Sequence, residues 1–123
     1  MKKVTNSDII RLGQVAADLD LADAGAAAPG DREVSGAYCS DLLSDVMGGA
    51  HPGEVWVTVQ SHLNVVAVAA LKELAAVVIC GGRSVDVSIL KKASEEGVVI
   101  LLAKQSAFEV CGRLWELGLR HED

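Results

Sequence analysis

Four short apolar runs begin near residues 34, 55, 76 and 98, at steps of 21, 21 and 22 residues. A step of that length holds one short strand, one helix and a return loop. Strands alternating with helices at such a period predict βαβ units and a parallel sheet. Residues 75–80 and 98–102 are continuously apolar, the pattern of parallel strands covered by helices on both faces. Strands are expected at 34–38, 55–59, 75–80 and 98–102, and helices at 40–47, 62–74, 85–96 and 106–117.

The punctuation between the runs agrees. Ser40 reads as the cap of the first of these helices, with Asp41 at its positive end and Gly48-Gly49 as its stop. The helix at 62–74 is apolar on nearly every face and so needs cover on several sides. Val85, Ile89 and Ala93 make one stripe at i, i+4 spacing. Ser106-x-x-Glu109 is a capping box, and Gly118 closes the last helix. Upstream, residues 5–12 predict a short helix capped by Thr5 with Asp8, with Ile9, Ile10 and Leu12 toward the core and Gly13 ending it. Residues 14–16 read as a short strand and 18–30 as a loop with one helical turn, marked by Pro29-Gly30. The expected architecture is one α/β domain over residues 1–123. It has three layers, α/β/α, on a mostly parallel sheet of four to five strands, with 1–30 as the N-terminal helix, strand and loop.

A chain of 123 residues is one domain's worth, and half its residues are hydrophobic, enough for a core without staples. Two Trp, one Tyr and one Phe leave that core to Val, Leu, Ile and Ala. A net charge of −6 and a pI near 4.9 argue against a nucleic-acid surface and against an anionic membrane. No run reaches the roughly 18 apolar residues of a membrane span. No apolar signal core follows Lys2-Lys3. A cytoplasmic location is therefore expected. Cys39, Cys80 and Cys111 form no CxxC pair, so they are expected to pack as small hydrophobes, with neither metal nor cofactor. A metal site shared by two chains stays open.

In an open parallel sheet, ligands sit beyond the carboxyl ends of the strands. The residues that follow the four runs are therefore the candidate ligand-binding set: Ser40 and Asp41; Gln60, His62 and Asn64; Gly81, Gly82 and Arg83; Lys104 and Ser106. Helix N-termini at such an edge offer free N–H groups and partial positive charge, which suits an anion such as a phosphate. Each residue also has a plainer reading. Ser40 and Ser106 serve as caps, Gly81-Gly82 as a tight turn, Arg83 and Lys104 as solvated charges, and His62 as a hydrogen-bonded corner. Asp41 and Asp45, at i, i+4 on one helix face, read as a carboxylate pair that holds a cation or, more commonly, as a solvated face. The chain holds no GxxxxGK[ST], GxGxxG or G-x-S-x-G motif and no close His–carboxylate–Ser array. No catalytic residue is assigned, and a non-enzyme is expected.

Residues 31–47, including the Ser40-Asp41-Leu42-Leu43-Ser44-Asp45-Val46-Met47 run, resemble the DRTGG domain family. So do residues 56–64 and 106–110. Asp31-Arg32 and Gly81-Gly82 match the family's named residues, whereas Cys80 stands where the family has Thr. The resemblance implies a fold like the N-terminal domain of HPr kinase/phosphorylase, which lacks the P-loop and does no phosphoryl transfer. In larger proteins the family sits beside nucleotide-sensing CBS domains. Its small stand-alone members accompany iron-only hydrogenase components. The implied role is a non-catalytic regulatory or assembly domain. It would sense a small anionic ligand such as a nucleotide, accessory to a redox-enzyme partner; the surplus apolar surface of the helix at 62–74 separately predicts a homodimer or higher homo-oligomer. The alternatives are a small phosphate-handling enzyme using His62 and Asp41, and a ligand-free scaffold.

Overall fold

The computed structural model describes residues 9–122. The chain opens with β1 (Ile10–Arg11), α1 (Leu12–Asp18), β2 (Ala22–Asp23), β3 (Glu33–Val34), β4 (Gly36–Cys39) and α2 (Leu43–Gly49). It continues with β5 (Glu54–Thr58), α3 (Leu63–Leu71), β6 (Ala76–Ile79), α4 (Val87–Glu95), β7 (Ile100–Leu102) and α5 (Ala107–Glu116). Five strands form the main sheet in the order β2-β7-β6-β5-β4. β4, β5, β6 and β7 run parallel; β2 lies antiparallel on β7, with Ala22 opposite Leu102. β1 and β3 make a separate antiparallel pair.

The sheet separates two apolar layers, because successive strand residues point to opposite faces. Val55, Val57, Val78 and Leu101 point to one side, where Leu12 and Val15 of α1 and Val110 and Leu114 of α5 cover them. Trp56, Val77, Ile79 and Ile100 point to the other, under Val46 of α2, Val65, Val66 and Ala69 of α3, and Ala93 of α4. This is the expected three-layer arrangement on a mostly parallel sheet. Every residue of β5 and β6 is buried, as strands covered on both faces require.

The N-terminal third departs from expectation. The Thr5–Asp8 cap lies outside the described residues. Within them, Ile10–Arg11 is a strand and the helix starts only at Leu12. Gly13 is inside that helix and does not end it, so the strand expected at 14–16 is helical. Arg11 is extended because β1 pairs with β3, and the Leu12 amide is taken by the Arg32 carbonyl at 2.8 Å. Ile10 and Leu12 are buried as expected, but Ile9 is exposed. The 18–30 segment contributes an edge strand. Backbone bonds from Ala24 to Ile100 and from Ala27 to Val98 extend it along β7, so pairing decides its shape where side-chain propensity is silent. The single strand expected at 34–38 is two pieces, broken at Ser35, whose amide turns to Gly53.

Candidate functional site

All four corners named in the sequence open at the carboxyl edge of the sheet, since β4 to β7 are parallel and adjacent. The four corners divide into an inner framework tied by hydrogen bonds within the protein and an outer set of side chains without such bonds among the described residues.

The first corner is built by Asp41. Its Oδ1 accepts hydrogen bonds from the Thr58 hydroxyl at 2.7 Å and from the Val59 amide at 2.9 Å. The Gln60 side chain donates to the Asp41 carbonyl at 3.4 Å, and the Gln60 amide donates to the Thr58 hydroxyl at 3.1 Å. Ser40 receives the Trp56 indole on its carbonyl at 2.8 Å, and its hydroxyl accepts from the Leu42 amide at 3.1 Å. That hydroxyl bond closes a local turn two residues long. Ser40 is therefore not the cap of α2, which begins at Leu43 after Leu42 and has no side-chain cap. Asp41 serves strand β5 rather than the helix end. Nor do Asp41 and Asp45 share a helix face: Asp41 precedes the helix, and the Asp45 carboxylate accepts from the Tyr38 hydroxyl at 3.0 Å.

Gly81 and Gly82 both adopt left-handed φ values, 86° and 69°. That geometry is costly for any residue with a Cβ. It turns their amides onto the neighbouring corner: Gly81 donates to the Gln105 carbonyl and Gly82 to the Ala103 carbonyl, each at 2.9 Å. These N–H groups are thus spent within the protein and not offered to an anion. The same bonds lash the β6–α4 corner, which carries Arg83, to the β7–α5 corner, which carries Lys104. Ser106 caps α5 as expected. Its hydroxyl accepts from the Glu109 amide at 3.2 Å and reaches the Glu109 carboxylate at 3.3 Å.

The outer set is His62, Asn64, Arg83 and Lys104, all exposed. His62 precedes α3 with an extended backbone, and its side chain makes no cap bond; among the described residues the expected hydrogen-bonded corner histidine is not formed. Among the described residues no ion pair engages Arg83 or Lys104, and no hydrogen bond joins His62 to Asp41. Beside His62, a shallow groove of about 350 Å³ runs between Leu63 of α3 and Ser88, Lys91 and Lys92 of α4. No group of three or more His, Cys, Asp or Glu among the described residues could hold a metal ion.

Several contacts escaped the sequence reading. Asp31-Arg32 lies at the opposite, amino edge of the sheet. There Arg32 donates to the Gly97 carbonyl at 2.9 Å and to that of Ala75 at 3.5 Å, so it clasps the entries to β7 and β6. Glu54 is buried at the start of β5, where its carboxylate accepts from the His51 amide at 2.6 Å and meets His121 Nδ1 at 2.7 Å. A glutamate opening an otherwise apolar strand was the available signal. The three cysteines also lie near one another, with Cys39 and Cys111 lining one cleft between β4 and α5. Burial foremost, then the neighbouring Cys39 and Asp41, pushes the Cys80 thiol up to about 11. Burial, then the Cys39 thiol beside it, pushes Cys111 up to about 12.

Five helices on a mostly parallel five-stranded sheet define an α/β domain. No family model matches the chain, and no curated protein matches it. Among solved structures the fold is similar to the CBS and DRTGG domains of the regulatory region of Clostridium perfringens pyrophosphatase, crystallised with its activator diadenosine tetraphosphate. The TM-score is 0.67 at 12% identity, over 89% of this chain and 47% of that one. The likeness at that identity is one of fold, and the chain spans about half the length of the structure it matches. No helix among the described residues is long and apolar enough to cross a membrane.

Proposed function

We propose that this chain is a non-catalytic regulatory or assembly domain. On this reading it acts in the cytoplasm, self-associates and senses a small anionic ligand such as a nucleotide. The observation that carries the reading is the division of the carboxyl edge. The Val59, Gln60, Gly81 and Gly82 amides are consumed by internal bonds, while Arg83 and Lys104 stand exposed on two corners lashed together by Gly81 and Gly82. A rigid frame presenting two unpaired cations suits a phosphate, and His62 and Asn64 add donors at the start of α3. That a similar fold serves a regulatory region activated by diadenosine tetraphosphate supports the nucleotide class. An accessory role beside an iron-only hydrogenase-type redox enzyme is the partner the family resemblance implies.

Calorimetric titration of the full chain with AMP, ADP, ATP and diadenosine tetraphosphate tests the reading. Binding is expected, weakened about tenfold or more by Arg83→Ala, because a charge-assisted bond contributes roughly 1.5–3 kcal/mol and 1.4 kcal/mol is a factor of ten. No binding to any of the four would remove the nucleotide reading and leave the scaffold. Phosphate release abolished by His62→Ala would instead favour the enzyme.

A further inference from the structure

We propose that Cys39 and Cys111 form a thiol–disulfide exchange site in the cleft between β4 and α5, whose substrate is a low-molecular-weight disulfide such as glutathione disulfide. The two residues are far apart in sequence, yet both line one cleft of about 250 Å³, with Leu114 and Trp115 of α5 and Ala37 of β4 around them. Cys39 is exposed at the end of an edge strand; Cys111 is half-buried in the helix that covers it. Cys39 is the more exposed of the two, so a small disulfide reaches that sulfur first.

The exchange balances without any further reactant. The Cys39 thiolate attacks one sulfur of the small disulfide; that S–S bond breaks and one small thiolate leaves, taking a proton from solvent. Cys39 is then held in a mixed disulfide. Cys111 loses its proton to solvent and attacks the Cys39 sulfur, which expels the second small thiolate and closes a Cys39–Cys111 bond. Two protein thiols are oxidised and one small disulfide is reduced to two thiols. The order follows from the environment of Cys111. Burial and the adjacent Cys39 thiol hold it protonated, so it is a poor first nucleophile. Once Cys39 is in a mixed disulfide, its sulfur lies in the cleft that Cys111 also lines, and Cys111 becomes the resolving thiol. Cys80, with no exposed surface, is shielded from the exchange.

The test is incubation of the reduced full chain with glutathione disulfide, followed by intact-mass measurement and peptide mapping under denaturing, acid-quenched conditions. Wild type is expected to lose two hydrogens in mass, to yield a Cys39–Cys111 cross-linked peptide, and to recover fully with dithiothreitol. Cys111→Ser should stop at a stable glutathione adduct on Cys39, and Cys39→Ser should take up no glutathione at the rate of the wild type. Wild type that accumulates the Cys39 adduct without closing, a cross-link that includes Cys80, or a Cys39–Cys39 link between two chains would each overturn the proposal. The wild-type measurement decides it even where a variant folds poorly.

Discussion

Asp41 and Thr58 join the first two corners of the sheet's carboxyl edge: the Thr58 hydroxyl, fully buried, donates to Asp41 Oδ1 at 2.7 Å. The same oxygen takes the Val59 amide at 2.9 Å, so one carboxylate oxygen ends β5 and anchors the loop leading to α2. Removing it leaves a buried hydroxyl and an amide without their acceptor. Asp41→Ala should therefore lower stability by about 1.5–3 kcal/mol, the cost of unpaired donors that had faced a charge. Asp41→Asn keeps an oxygen in the same place and should cost less than half as much. Urea unfolding of both variants checks this; equal losses would mean that the charge, not the acceptor geometry, does the anchoring.

A second close approach sits at the other end of β4. The Ala37 amide donates to the Arg120 carbonyl at 3.1 Å, and a Cβ on Gly36 would collide with that carbonyl. The C-terminal strap thereby covers an edge strand that would otherwise be open to pairing. Gly36→Ala should lift the strap and lower stability by roughly 1–3 kcal/mol, as overpacking does. Gly48, in α2, has open space where its Cβ would be, so Gly48→Ala should raise stability by up to about 1 kcal/mol. Thermal unfolding of the pair should move in opposite directions. A neutral Gly36→Ala would show that the strap yields freely.

The parallel sheet was legible because its signal is local and repeated: apolar runs at even steps, Gly97 and Gly118 after the last two helices, and one capping box that formed as read, although Gly13 and Gly48-Gly49, expected as stops, lie inside helices. Ser40 misled because a hydroxyl before a helix serves either a cap or a two-residue turn, and only the placement of Thr58 and Trp56 decides between them. β2 was invisible in an Ala- and Asp-rich stretch, since two residues are strand only through their partner β7. The cysteines were legible in principle. Cys39 ends β4 and Cys80 follows β6, the strands on either side of β5, but the approach of Cys111 depends on how α5 crosses β4 and β5.

Apolar surface left on α3 argues for self-association. Leu63 is 53% exposed, Leu71 is 70% exposed, and Ala67 lies exposed between them at i, i+4, i+8 spacing, a continuous stripe on one helix face. The surplus expected from this helix thus survives after α2 and α4 have covered its other sides. Sedimentation at micromolar concentration should find a species heavier than the 12.8 kDa chain, and Leu71→Glu should return it to that mass. A wild-type monomer throughout that range would leave the stripe without this role.

The Cys80 thiol makes stability fall at alkaline pH. In the folded chain it ionises near 11, against 9.0 for an ordinary thiol, chiefly because the charged form is desolvated beneath β6 and its neighbours. Between those two values the unfolded chain has released this proton and the native chain has not. The unfolding free energy must then decrease as pH rises, because stability follows the state that binds more protons. The contribution is fully present below the ordinary thiol value and is lost on the way to the folded one. Cys80→Ala removes the titrating group at the cost of a small cavity, so its stability should start lower but fall less steeply. Urea midpoints followed from about pH 8 to about pH 11 give the two slopes. Parallel slopes would mean that another group, and not the Cys80 thiol, carries the alkaline loss.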